Sequence, residues 1–334
     1  MAWSSQSGSP EKSTNVRAVE RDPGLSAWAE EAVAALESAG AAGVAQTAPV
    51  SRAPTAPWYL RAGFATLGTL APPLATAWAE RLFLTAPRPP APRKEIAALA
   101  TAHVGSVVVH GQRLATWTWV PIRHPEGPRA TVLLVHGWGG RGGQLAGFVP
   151  GLLAAGYSVV TYDAPGHGLS EGRTSSLVEV ARAVRGVAAA LPSPVHAVIA
   201  HSMGGAATAF ALVEGLHLER AVFVAPPSAV TEWARTFSEV LGLGDDVRDE
   251  MQRRIEGRLQ VAWADLDMAV VAPQMQTPLL VIHDTDDREV PYTTSERMVE
   301  VWPGATLHTT QKLGHKRILD DAEVIARAVA FIGD

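Results

Sequence analysis

The stretch "VIAHSMGGAA", Val198 to Ala207, decides how the rest of the chain is read. An apolar run stops at His201, a lone hydroxyl follows at Ser202, and then come Met203, two glycines and alanines. The run reads as a buried strand, and "MGGAATAFALV" after it opens a helix. A serine at such a sharp strand-to-helix turn projects its hydroxyl above the edge of the sheet. The turn is strained and brings neighbouring backbones close, so the positions two before and two after the serine must be small. Here they are Ala200 and Gly204, giving A-x-S-x-G where the pattern for such turns is G-x-S-x-G. A serine in this place can also simply cap the helix. The surrounding sequence therefore has to choose between the two readings.

Working outward, short apolar runs alternate with helical patterns. "SVVVH" and "LATWTWV" flank Gly111-Gln112 and read as an antiparallel hairpin. "TVLLVH" (131–136), "YSVVTYD" (157–163), "VHAVIA" (195–200), "RAVFVA" (220–225), "PLLVIH" (278–283) and "ATLHTT" (305–310) read as strands. Their apolar runs do not alternate with polar residues, as suits parallel strands buried on both faces. Leu177, Val180, Ala181, Val184, Val187, Ala188 and Leu191 mark one face of a helix, and "DDAEVIARAVAFIGD" ends the chain with another. The expected fold is α/β: a mostly parallel, doubly wound sheet with helices on both faces. The roughly fifty residues 228–277 exceed what one crossover needs and are expected to form a helical lid over the carboxyl edge of the sheet.

The first 95 residues have a different character. Residues 1–57 mix Ser, Gly, Pro, Ala and charges and are expected to be flexible, with one helical candidate at Ala27 to Ser38. "AGFATLGTLAPPLATAW", Ala62 to Trp78, is uncharged but interrupted by Pro72-Pro73, so a broken helix pair is expected and a membrane anchor through residues 58–84 is not favoured. "TAPRPPAPRKE", Thr85 to Glu95, reads as an extended proline-rich linker, with the main domain at 96–334. No basic and apolar leader opens the chain, and a cytoplasmic location is expected. Of the 334 residues 47% are apolar and 18% charged, with a net charge of -5, so nothing points to a nucleic-acid partner. The absence of cysteine excludes disulfides, thiolate metal sites and a cysteine nucleophile.

A serine hydroxyl needs a base beside it to act as a nucleophile at neutral pH. His315 in "KLGHKRIL" follows the last strand and so belongs to a loop at the same sheet edge as Ser202. His201, His136 and His167 sit within motifs at strand ends or glycine turns and are given no part in the chemistry. The base in turn needs a carboxylate to fix its tautomer, and "HDTDDREVP" (283–291) offers Asp284, Asp286, Asp287 and Glu289 after the "PLLVI" strand. "LLVHGWGGRGG" (133–143) places glycines where backbone N–H groups can turn toward the site. It lacks the lysine of a phosphate loop, and no ligand spacing for a metal is seen; neither cofactor nor metal is expected.

Taken in order, "VHGWGG", "YDAPGHGLSEG", "AHSMGG", "HDTDDREVP" and "LGH" resemble the α/β-hydrolase superfamily over roughly Ser106 to Asp334. The resemblance implies Ser202 as nucleophile, His315 as base and Asp287, four residues before Pro291, as acid, with Asp286 as the alternative. It implies oxyanion donors at the backbone N–H of Trp138 and Met203, and a structural role for Asp163 and His167. The implied activity is hydrolysis of a small-molecule carboxylic ester, and Trp233 and Trp263 in the lid region point to an apolar acyl or alcohol group. Thioesters, lactones, amides and carbon–carbon bonds remain open on the same triad, as does a non-catalytic ligand-binding protein on this scaffold. A dehalogenase is disfavoured, because it would need a carboxylate at position 202.

Overall fold

The computed structural model describes residues 56–122 and 130–334 together with the backbone of 16–17. The expected flexible region, apart from those residues, and the helical candidate at 27–38 lie outside the described residues, as does His124. Among the described residues nine strands form one sheet. They are β1 (Val16–Arg17), β2 (His103–Val109), β3 (Gln112–Trp119), β4 (Thr131–Val135), β5 (Ser158–Tyr162), β6 (Val195–His201), β7 (Arg220–Val224), β8 (Leu279–Asp284) and β9 (Thr306–Thr310). Their spatial order is β1-β2-β3-β5-β4-β6-β7-β8-β9. From β5 to β9 every neighbouring pair is parallel, and β1 to β3 extend the sheet in antiparallel fashion. The β2–β3 hairpin closes through His110 (φ 48°) and Gly111 (φ 79°). Two consecutive left-handed residues give the turn whose twist matches the strands it joins.

The unbroken apolar runs have a direct cause: both faces of the sheet are covered. Leu133, Val135, Val198, Ala200 and Phe223 face one core, which includes Val180, Val184 and Val187 of the helix Leu177–Ala190. Val132, Leu134, Ile199, Val222 and Ile282 face the other, with Leu152 and, from the last helix Ala322–Gly333, Val324 and Ala328. Both helices start on side-chain caps. Ser176 Oγ accepts the Glu179 N–H, and Asp321 accepts those of Glu323 and Val324.

The apolar segment of the N-terminal third is two helices, Trp58–Leu70 and Pro72–Leu84, of 13 residues each, with Pro72 at the first position of the second. Each is about 20 Å long, well short of the roughly 30 Å of a bilayer core. Among the described residues no helix is long and apolar enough to cross a membrane. Residues 228–277 fold mainly as Val230–Leu241 and Asp245–Leu259, followed by short turns from Trp263 to Gln274. The two regions pack together. Phe83 lies 5.2 Å from Phe237 and 5.5 Å from Trp263 by ring centroids, and Glu80 pairs with Arg254 (3.0 Å) and Arg258 (2.9 Å). Partly exposed ion pairs contribute at most about 1 kcal/mol each, against up to about 3 kcal/mol for burying one aromatic ring, so the aromatic contacts dominate this junction.

Candidate active site

The turn after β6 has the strained geometry its small residues suggest. Ser202 stands at φ 51° and ψ -128°, a backbone region that costs an ordinary residue about 1–3 kcal/mol. Hydrogen bonds on both sides hold it there: Ser202 N–H donates to Val224 O, and Gly205 N–H to Ser202 O, each at 2.8 Å. The room is made by glycine. A Cβ on Gly204 would stand 2.6 Å from His136 O, and a Cβ on Gly137 would stand 2.8 Å from the Cβ of Ser202. Ala200 is fully buried within β6 and is accommodated as an ordinary core methyl.

His315 sits on the short helix Gly314–Arg317 that follows β9. Its Nδ1 donates to Asp287 Oδ2 at 2.7 Å, and the Asp287 side chain has no exposed surface. A carboxylate only accepts, so Nδ1 carries the proton and Nε2 is left as the basic nitrogen. Asp287 Oδ1 accepts the N–H groups of Glu289 (2.8 Å) and Val290 (3.0 Å). Burial alone would raise the Asp287 carboxyl, but hydrogen bonds from His283 and His315 outweigh it and hold the group well below the usual carboxylate range. Asp286 is turned elsewhere: its Oδ2 accepts the Lys312 N–H at 2.8 Å. Asp284 joins the two turns, with Oδ1 accepting from Asp286 N–H (2.9 Å) and Oδ2 from Thr310 Oγ1 (2.8 Å) and Leu313 N–H (3.0 Å).

Two histidines given no chemical part by the sequence support these groups. His283 is fully buried; its Nε2 lies 3.3 Å from Asp287 Oδ2 and 3.2 Å from Val290 O. Both neighbours only accept, so Nε2 is protonated and Nδ1 accepts the Ser295 hydroxyl at 2.6 Å. His201 donates from Nε2 to the backbone carbonyl of His315 at 2.9 Å, and its ring lies 4.6 Å from that of His315. Burial lowers the His201 pKa to about 3, keeping the ring neutral. The signal for His283 was its place at the end of β8, four residues before Asp287. His201 gave no signal beyond its place next to the serine.

The remaining motifs shape loops. His136 Nε2 accepts the Ala164 N–H at 2.9 Å, Asp163 Oδ1 that of Gly142 at 2.8 Å, and Asp163 Oδ2 that of Leu169 at 2.7 Å. Trp138, Ser202, Met203, His201 and His315 line one cavity of about 600 Å³, with Asp287 behind His315. Met203 is the first residue of its helix, so its N–H has no acceptor within that helix. The Trp138 N–H has no acceptor among the described residues. Also among the described residues, no group of three or more His, Asp or Glu side chains is placed to hold a metal ion.

A parallel sheet with a strained serine at its carboxyl edge and a buried carboxylate–histidine pair beside it is the architecture of a hydrolytic enzyme. The chain belongs to the alpha/beta hydrolase family, whose pattern it matches over residues 132–328. It is 28% identical over 249 residues to the 2-hydroxy-6-oxononadienedioate/2-hydroxy-6-oxononatrienedioate hydrolase 1 of Dechloromonas aromatica, covering 60% of this chain and 85% of that one. Among solved structures, Est1E from Butyrivibrio proteoclasticus with ferulic acid bound superposes with a TM-score of 0.56 at 20% identity, over 69% of this chain and 99% of that one. An esterase from Exiguobacterium antarcticum gives 0.52 at 16% identity, over 67% and 97%. These similarities establish a hydrolase of the α/β type.

Proposed function

We propose that the protein is a serine hydrolase of carboxylic esters bearing an apolar group. Ser202 Oγ attacks the ester carbonyl while its proton passes to His315 Nε2. The carbonyl oxygen becomes an oxyanion held by the N–H groups of Trp138 and Met203, each donor being worth about 10²- to 10³-fold in rate. As the intermediate collapses, the ester C–O bond breaks, and the leaving alkoxide takes the proton from Nε2 to become the alcohol. Water then gives a proton to Nε2 and attacks the acyl-enzyme. The second collapse releases the acid and returns the proton to Ser202. Asp287 remains a carboxylate throughout and stabilises the imidazolium.

One observation carries this reading. The His315 Nδ1–H bond to buried Asp287 leaves a basic Nε2 on a ring that lines the same cavity as Ser202. The Dechloromonas aromatica relative favours a second reading. The compounds in its name carry carboxylates, an enol and a ketone but no ester, so their hydrolysis breaks a carbon–carbon bond. A screen across short- and long-chain esters, thioesters, lactones, amides and 2-hydroxy-6-oxononadienedioate, with Ser202→Ala as control, tests both. The first reading expects ester turnover that vanishes in the variant. Turnover of the dienedioate alone would favour the second, and retained ester turnover in Ser202→Ala would sink the first.

A further inference from the structure

Residues Phe83 to Glu95 precede the stretch that matches the family, yet Phe83, Leu84, Pro87, Pro89 and Glu95 line the cavity that holds Ser202 and His315. The segment is fastened along its length. Leu84 O accepts the Ser175 N–H at 2.7 Å, and Arg88 donates to the carbonyls of Gly166 (2.9 Å), Ser170 (3.2 Å) and Gly172 (2.7 Å). Arg141, just past the glycine loop that carries Trp138, reaches back to it. Its Nε donates to Glu95 Oε2 and its Nη1 to Pro89 O, both at 2.5 Å. That ion pair is nearly buried, with side chains 11% and 7% exposed, so losing either partner would strand a charge away from water. Pro87 lies against the same glycine loop, since a Cβ on Gly139 would stand 2.8 Å from Pro87 Cγ. A proline-rich run expected to link domains is here a wall built into the site.

The chemistry of that wall is apolar where Phe83 contributes to it. The Phe83 ring is buried and held by Phe237 and Trp263. Leu84, Trp233, Ile255, Leu259 and Trp263 share the apolar part of the lining. The same lining also carries charged side chains, among them Lys94, Glu95 and Arg141. We propose that the segment 83–95 is part of the substrate site, and that Phe83 limits the length of the apolar acyl chain the cavity accepts. The inference rests on the serine-hydrolase reading above. In a pocket of this kind one methylene shifts discrimination about 10-fold or more.

The test uses the full chain and a series of alkyl fluorophosphonates from ethyl to dodecyl, which react irreversibly with an activated serine. Wild type, Phe83→Leu and Phe83→Trp are labelled, each shown folded by thermal melting, and the modified peptide is identified by mass spectrometry. All three are expected to be labelled at Ser202. The rate with long chains relative to ethyl should rise about 10-fold or more in Phe83→Leu and fall in Phe83→Trp. General loosening of the cavity would not move the two variants in opposite directions. Labelling at Ser202 with the same chain-length profile in all three overturns the inference alone. Absence of label at Ser202 with every probe overturns the serine-hydrolase reading and the inference with it.

Discussion

His315 and Asp287 lie 28 positions apart in the chain, yet Nδ1 of one meets Oδ2 of the other at 2.7 Å, with the carboxylate fully enclosed. The turns after β8 and β9 supply one partner each. Asp284 ties those turns together, so the pair is set by the backbone before any substrate arrives.

Asp287→Asn should therefore cost far more than Asp286→Asn. An amide at 287 would face Nδ1 with the wrong tautomer, and a loss of the order of 10⁴ in kcat is expected. Asp286 contacts the Lys312 N–H, and its amide should keep most of the activity. Steady-state kinetics on one ester decides, and the reverse ranking would move the acid by one residue.

His283 Nε2 lies 3.3 Å from Asp287 Oδ2, and on the proposed mechanism it is expected to position that carboxylate. A Gln at 283 can present a donor near Nε2, while Leu removes it and leaves Asp287 with one side-chain donor fewer. The expectation is that His283→Leu lowers kcat about tenfold with little change in KM, and that His283→Gln recovers most of it. Equal losses in both variants would reduce His283 to a packing role.

Gly137→Ala should damage activity more than stability. The new Cβ would stand 2.8 Å from the Cβ of Ser202 and 3.1 Å from His201 O, displacing the proposed nucleophile. A shift near 1 Å is worth about 100-fold in rate. A variant with unchanged melting and wild-type turnover would contradict this packing.

Stability should fall as the pH is lowered below about 6.5. Burial depresses His136 to about 4 and His167 and His201 to about 3. Between those values and the unfolded value near 6.5, the unfolded chain binds more protons, so acid favours unfolding. At pH 5 each contributes a loss of about 2 kcal/mol. Asp163 and Glu95, raised by burial, take up protons in the folded state and offset part of this at lower pH. Thermal melts at pH 7 and pH 5 should differ by about 10 °C, with pH 7 higher. Equal or higher melting at pH 5 would contradict it.

The central strands β4 to β8 were legible in the sequence as short, mainly apolar runs, and the cause is visible in the two cores that flank them. The strands β2 and β3 were legible as a hairpin about Gly111, while β9, TLHTT, is a partly exposed edge strand. The turn at Ser202 was legible through Gly204. The places after consecutive strands put His315 near the acidic turn 284–289, and only the family resemblance singled out Asp287 within it. The contacts of His201 with His315 and of His283 with Asp287 were not, because they depend on ring orientation that no spacing encodes. Nor was the placement of Phe83 to Glu95. Proline content specifies an extended backbone but not the surface on which it lies, and here Arg141 and Arg88 decide that.

The most direct test of the account is the fate of a single ester turnover. Mixed rapidly with a p-nitrophenyl ester, the enzyme should release a burst of one equivalent of p-nitrophenol, and intact mass should rise by one acyl group located on Ser202. Turnover with no burst and no acyl adduct, or an adduct that survives in Ser202→Ala, would contradict it.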